Sequence, residues 1–198
     1  MASRSSGFGE IRFSPFVVAI DTREQHPFTF DGLKDGPPNK LHPLIVKTEG
    51  RTLQSGDYSI VGLEDRISVE RKSLEDLYGT LTHGRERFER ELERLQRMTF
   101  SAVVVEASWI TVCRRPPERS QVIPKTIYRS ILAFSQRYLK THWYLCDSRR
   151  FAEVTTYRIL ERFWTDHVIK PAAEQRRLQR ISTSDGLGFH GKENGSRK

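Results

Sequence analysis

Two short, unbroken apolar runs constrain this chain more than anything else in it. Phe16-Val17-Val18-Ala19-Ile20 and Ala102-Val103-Val104-Val105 are brief and mostly β-branched. Such runs suit strands buried on both faces, where no polar residue alternates with the apolar ones. Asp21-Thr22-Arg23-Glu24 closes the first run. Strand ends are where loops carry function in α/β folds, so Asp21 either starts a turn or serves a site.

The intervening chain reads as further strands and then helices. Residues 26–39 form a loop punctuated by His26-Pro27, Asp31-Gly32 and Pro37-Pro38, with Phe28 and Phe30 tucked against the body. Leu44-Ile45-Val46 is a second strand, Tyr58-Ser59-Ile60-Val61-Gly62 a third and residues 66–71 a fourth, in an antiparallel hairpin or meander with charged residues at one edge. Ser73 is placed to cap a helix whose first turn carries Glu75 and Asp76. Thr82-His83-Gly84 breaks that helix. A second, from Arg85 to Gln96, aligns Phe88, Leu92 and Leu95 on one stripe, its other residues forming a solvated face. A basic loop with prolines spans residues 114–119. A helix from Pro124 then buries Ile127, Ile131, Phe134 and Tyr138, and Trp143 to Cys146 is a strand. The last helix offers Val154, Ile159, Phe163 and Trp164 as a core face or a pairing surface.

Net charge is +8 and the sequence pI about 9.7, which favours a polyanionic partner such as nucleic acid or an anionic surface. The N-terminus has no apolar run after its arginine, and no stretch is long enough to span a bilayer. The expectation is a soluble intracellular protein, cytoplasmic in a prokaryote or nuclear in a eukaryote, without a membrane partner. Cys113 and Cys146 lack metal-ligand spacing and are expected as buried or partly buried free thiols. The histidines are scattered, and no glycine-rich phosphate loop points to an organic cofactor. Residues 1–14 are expected to be mobile, 15–170 to form one domain, and 171–198 to be a basic disordered tail that binds phosphates or is solvated.

The chemistry concentrates in Ile67-Ser68-Val69-Glu70-Arg71-Lys72. Side chains along a strand alternate faces, so Glu70 and Lys72 point the same way while Ile67 and Val69 face a core. Asp57, after Gly56 on the preceding strand, supplies a second carboxylate. Carboxylates bind a divalent cation, and a lysine orients water or offsets charge on a phosphate. Arg71 points to the opposite strand face, where it pairs with an acid such as Asp76 or bends to a phosphate.

The longer pattern of Gly56-Asp57-Tyr58, Val69-Glu70-Arg71-Lys72 and Asp76, with Val18-Ala19-Ile20-Asp21-Thr22-Arg23-Glu24 upstream, resembles the nuclease domain of the XPF-type structure-specific endonucleases. The resemblance covers about residues 16–165. It implies a restriction-endonuclease-like three-layer α/β/α sandwich with a central mixed sheet. It also implies a Mg²⁺- or Mn²⁺-dependent DNA endonuclease of repair or recombination, acting on branched or otherwise structured DNA. Carried over by position, Asp21, Glu24, Asp57, Glu70, Arg71, Lys72 and Asp76 are the catalytic set. Asp57, Glu70 and Asp21 are the metal ligands, and Arg23, Arg71 and Arg85 meet the substrate. Gly84-Arg85 looks like the family's Gly-Arg, and Glu89 stands where relatives often have Gln. Family members usually carry a tandem helix-hairpin-helix module after this domain, for which too few residues remain here. They commonly pair, so a homodimer or heterodimer through the nuclease domain is a further expectation. The alternatives are a non-catalytic DNA-binding or scaffold subunit, and a same-fold nuclease acting on single strands or RNA.

Overall fold

The computed structural model describes residues 10–118 and 120–185. The chain runs β1 (Arg12–Asp21), β2 (Leu33–Asp35), β3 (His42–Arg51), β4 (Tyr58–Ile60), β5 (Ile67–Lys72), α1 (Leu74–Leu81) and α2 (Arg85–Leu95). It continues through β6 (Phe100–Val105), α3 (Trp109–Arg114), α4 (Pro124–Arg137), β7 (Thr141–Leu145) and α5 (Arg149–Trp164). A wide π turn at Thr165–Ile169 leads into α6 (Lys170–Asp185). The first compact unit ends at Leu160 and a second begins at Glu161.

The strands form one seven-stranded sheet in the order β2-β3-β1-β4-β5-β6-β7. β1 pairs parallel with β3, and β5, β6 and β7 pair parallel in turn. β4 runs antiparallel to both β1 and β5. The C-terminal ends of β1 and β5 and the start of β4 therefore meet at one end of the sheet. That topology gathers Asp21, Asp57 and Lys72 from three separate stretches. The charged cluster was expected at a sheet edge; β4 and β5 lie in the middle of the order instead, so the site is flanked on both sides.

Helices cover both faces. In β6, Val103 and Val105 face α1, α2 and α4, where Leu77, Leu81, Phe88, Leu92, Leu95, Ile127, Ile131 and Phe134 close one core. On the other face Phe16 stacks on Tyr157 of α5 at 5.6 Å, and Phe28 stacks on Tyr58 at 5.0 Å. Double cover explains why Ser68 and Glu70 are buried along with Ile67 and Val69, rather than alternating with them in exposure. Each buried polar group on the strand then needs a partner; Ser68 Oγ donates to the Ser55 carbonyl at 2.8 Å.

Several boundaries differ from the expectation. β1 starts at Arg12, inside the segment expected to be mobile; residues 1–9 lie outside the described residues. β2 and α3 had no periodic signal, being three and six residues long. α5 buries Ala152, Glu153, Thr156, Tyr157, Leu160 and, as expected, Phe163, while Val154, Ile159 and Trp164 are half-buried. Phe16 of β1 and Phe30 of the following loop stand against Tyr157 of α5 at 5.6 and 6.4 Å. Cys113 is exposed, not buried. In the second unit, Arg162 and Lys170 both bridge Asp166 at 2.6 and 2.7 Å. The expected tail from residue 171 is helical as far as Asp185, and 186–198 lie outside the described residues. Among the described residues no helix is long and apolar enough to cross a membrane.

Candidate active site

The site is built from the end of β5 outward. Glu70 and Lys72 share a face, and Lys72 Nζ donates to Glu70 Oε1 at 2.6 Å while lying 5.3 Å from the centre of the Phe88 ring. Tyr58 pairs with Val69, so the antiparallel register carries Asp57 to the level of Glu70. The Asp57 N–H donates to the Val69 carbonyl at 2.9 Å, and Arg71 N–H donates to Asp57 Oδ2 at 2.7 Å. The turn before it requires glycine: Gly56 has φ +74°, and a Cβ there would lie 2.0 Å from Ser68 Oγ. Helix α2 clamps this turn. Gly56 N–H donates to Glu91 Oε1 at 3.0 Å, Arg94 Nε donates to Ser55 Oγ at 3.0 Å, and Arg94 also pairs with Glu91.

Burial, and then the charge of Glu70, push the Asp57 carboxyl up to about 8, against the pull of the Arg71 N–H and Lys72. Burial also raises Glu70, against the attraction of Lys72. Burial opposes the charge on Lys72, yet Glu70 and Asp57 hold the ammonium above its ordinary value. Two buried carboxylates that resist joint ionisation are electrostatically suited to a cation. Among the described residues no three His, Cys, Asp or Glu side chains converge to hold an ion by themselves. A pair of carboxylates still fits a hard ion that keeps waters and takes phosphate oxygens as its other ligands.

Asp21, expected in that ligand set, is committed elsewhere. Its Oδ1 accepts from the Arg23 N–H at 2.7 Å and Nε at 2.8 Å, and its Oδ2 from Arg23 Nη2 at 2.7 Å and the Leu53 N–H at 3.0 Å. Burial would raise this carboxyl, but those donors hold it below its ordinary value. Arg23 is thereby tied back, though it still lines the cleft.

Arg71 does pair with acids, as one of the two expectations had it, but with Glu106 and Glu24 rather than Asp76. Its Nε donates to Glu106 Oε1 at 2.6 Å and its Nη1 to Glu24 Oε1 at 3.3 Å. Glu106 also takes Arg149 Nη1 at 2.8 Å, and Arg149 holds the His26 and Pro27 carbonyls. Both guanidiniums lie over the Phe28 ring. Asp76 is exposed at the cleft rim: its N–H donates to Ser73 Oγ at 3.1 Å, and its carboxylate accepts from that hydroxyl at 2.9 Å. Arg85 is not among the cleft-lining residues. It donates to Ser130 Oγ at 2.8 Å and to Glu89 at 3.2 Å and stacks on Phe134 at 4.6 Å, because the start of α2 packs on α4.

The cleft has a volume of about 820 Å³ and brings together Asp21, Arg23, Glu24, Asp57, Glu70, Arg71, Lys72 and Asp76. It also contains residues the motif reading passed over, Arg87, Glu91 and Arg94 on α2. Their spacing of four and three residues puts them on one helix face, a signal present in the sequence but assigned to solvent. Glu106 and Arg149 left no such signal.

A mixed sheet covered on both faces, with this cleft at the strand ends, defines a restriction-endonuclease-like α/β/α domain. The ERCC4 domain family profile matches residues 20–157, and the chain belongs to that family. Among solved structures it is similar to XPF from Aeropyrum pernix, with 17% identity over 87% of this chain and 74% of that one, at a TM-score of 0.52. It is also similar to A. pernix XPF in complex with DNA, with 21% identity over 76% of this chain and 66% of that one, at a TM-score of 0.54. At such identities the likeness is one of fold. No curated protein matches the sequence.

Proposed function

We propose that this chain is a divalent-metal-dependent DNA endonuclease, hydrolysing phosphodiester bonds in branched or otherwise structured DNA. The observation that carries the reading is the pair of mutually opposed carboxylates, Asp57 and Glu70, beside the Lys72 ammonium in an open cleft. Membership of the ERCC4 family supports a nuclease. The DNA in the A. pernix XPF complex and the net charge of +8 favour DNA as its substrate.

Asp57 and Glu70 would hold Mg²⁺ or Mn²⁺, with Asp21 bracing the strand end behind them. Such an ion, when bound, lowers the pKa of a coordinated water and polarises the scissile phosphate. With that ion bound, Asp57 would be held as the carboxylate, without the proton that burial and Glu70 otherwise keep on it. An ammonium has three N–H donors. One of those on Lys72 is spent on Glu70, leaving others for the attacking water or a non-bridging oxygen. Arg87 and Arg94 offer guanidinium donors to flanking phosphates. Arg71 and Glu24 fix the loop after β1 against the site.

Labelled duplex, flap and single-stranded DNA, and RNA, are incubated with Mg²⁺, Mn²⁺ or EDTA. The expected result is cutting of flap or branched DNA with either ion and none in EDTA. Absence of cutting of every DNA under all metal conditions removes the reading, and cutting of RNA alone moves it to another substrate.

A further inference from the structure

We propose that the outer face of α2 carries a phosphate track that leads one DNA strand from the cleft into an adjoining groove. That groove has a volume of about 590 Å³ and is lined by Arg51, Thr52, Gln54, Ser55, Arg94 and Arg97, among others. Arg94 lines both the groove and the catalytic cleft, so the two are contiguous. The inference rests on the nuclease reading and extends it to where the substrate goes.

The spacing fits a polyanion. Arg87 and Arg94, seven residues apart, lie near one side of α2, and Arg97 follows in the turn just after that helix ends at Leu95. At 1.5 Å per residue, Arg87 and Arg94 stand about 10 Å apart along the axis. Phosphates of one B-form strand advance about 3.4 Å each, so the pair spans about three of them. Among the described residues the guanidiniums of Arg87 and Arg97 have no ionic partner. Arg94 has one in Glu91 and Arg51 one in Glu49, each with further N–H donors to spare. Gln54 and Thr52 add neutral donors. Glu64 and Asp65 also line the groove and repel phosphate, which holds the strand to the arginine side. By contrast Arg85, on the same helix, is consumed by Glu89 and Ser130.

The test is equilibrium binding of a flap DNA in EDTA, where nothing is cut, across a salt series. The full chain is compared with Arg51→Gln/Arg97→Gln. Arg94 is left intact because it also clamps the Ser55 turn. Arg129→Gln, on an exposed position of α4 outside both clefts, is the control for general charge. Losing two phosphate contacts should lower the slope of log K against log salt by about 1.4 to 1.8. Affinity should fall roughly tenfold at moderate salt, with Arg129→Gln close to the parent. A slope and affinity for the double variant no different from Arg129→Gln overturn the track. Cleavage assays on the parent separate the two readings. A protein that cuts but keeps its slope loses only the track; one that loses its slope but never cuts keeps the track and loses the nuclease.

Discussion

Lys72 Nζ donates to Glu70 Oε1 at 2.6 Å across a single intervening residue of one strand. The pair sits where the topology also delivers Asp57. Its geometry follows from strand alternation, but its chemistry depends on burial, since an exposed pair of this kind contributes little.

Lys72→Ala should lower single-turnover cleavage by roughly 10²- to 10³-fold, the loss typical of one donor to developing charge. Asp57→Asn should abolish cleavage yet keep its acceptor for the Arg71 N–H and remove a charge that opposes Glu70. Its thermal midpoint without metal should therefore match or exceed the parent's. A midpoint well below it would show that the opposition between the two carboxylates is not real.

Stability should depend on pH in a direction set by Asp57. The folded state holds this proton up to about 8, while an unfolded aspartate releases it near 3.8. The native state thus binds the extra proton between those values, and stability falls as pH rises through that window. Urea titrations of the metal-free protein at pH 5 and pH 8 should show the loss. Mg²⁺ should raise the midpoint more at pH 8 than at pH 5, and Asp57→Asn should flatten the profile.

Gly56→Ala should destabilise by about 2–4 kcal/mol, combining the strain of positive φ with overpacking. The added methyl meets Ser68 Oγ at 2.0 Å and the Val69 carbonyl at 3.2 Å. Gly56→Ala/Ser68→Gly should recover part of the loss in chemical denaturation, because it removes only the first of those contacts.

Glu106→Ala should cost about 1–3 kcal/mol, less than breaking a fully buried pair because Arg71 keeps Glu24. Arg149 would lose its anchor beside the His26 and Pro27 carbonyls. Faster amide exchange in residues 24–30, measured by mass, checks the idea; unchanged exchange there argues against Glu106 as the tie between loop and strand.

Elements whose signals are local could be read from the residues alone. Alternation in residues 67–72 aligned Glu70 with Lys72, Ser73 announced its cap, and Phe88, Leu92 and Leu95 marked the buried stripe of α2. The motif around Gly56-Asp57 and Glu70-Arg71-Lys72 carried the family and the fold, now supported by the profile over residues 20–157. Where the charges go was set by the packing of the elements on one another. Arg71 joins Glu106 from β6's end, Asp21 closes on Arg23 and Leu53, Arg85 turns to Ser130, and Glu91 reaches back to Gly56. Periodicity specifies which face a side chain takes along its own element. It is silent about which distant group that face meets, because strand order and double-sided cover are set by packing among all the elements at once.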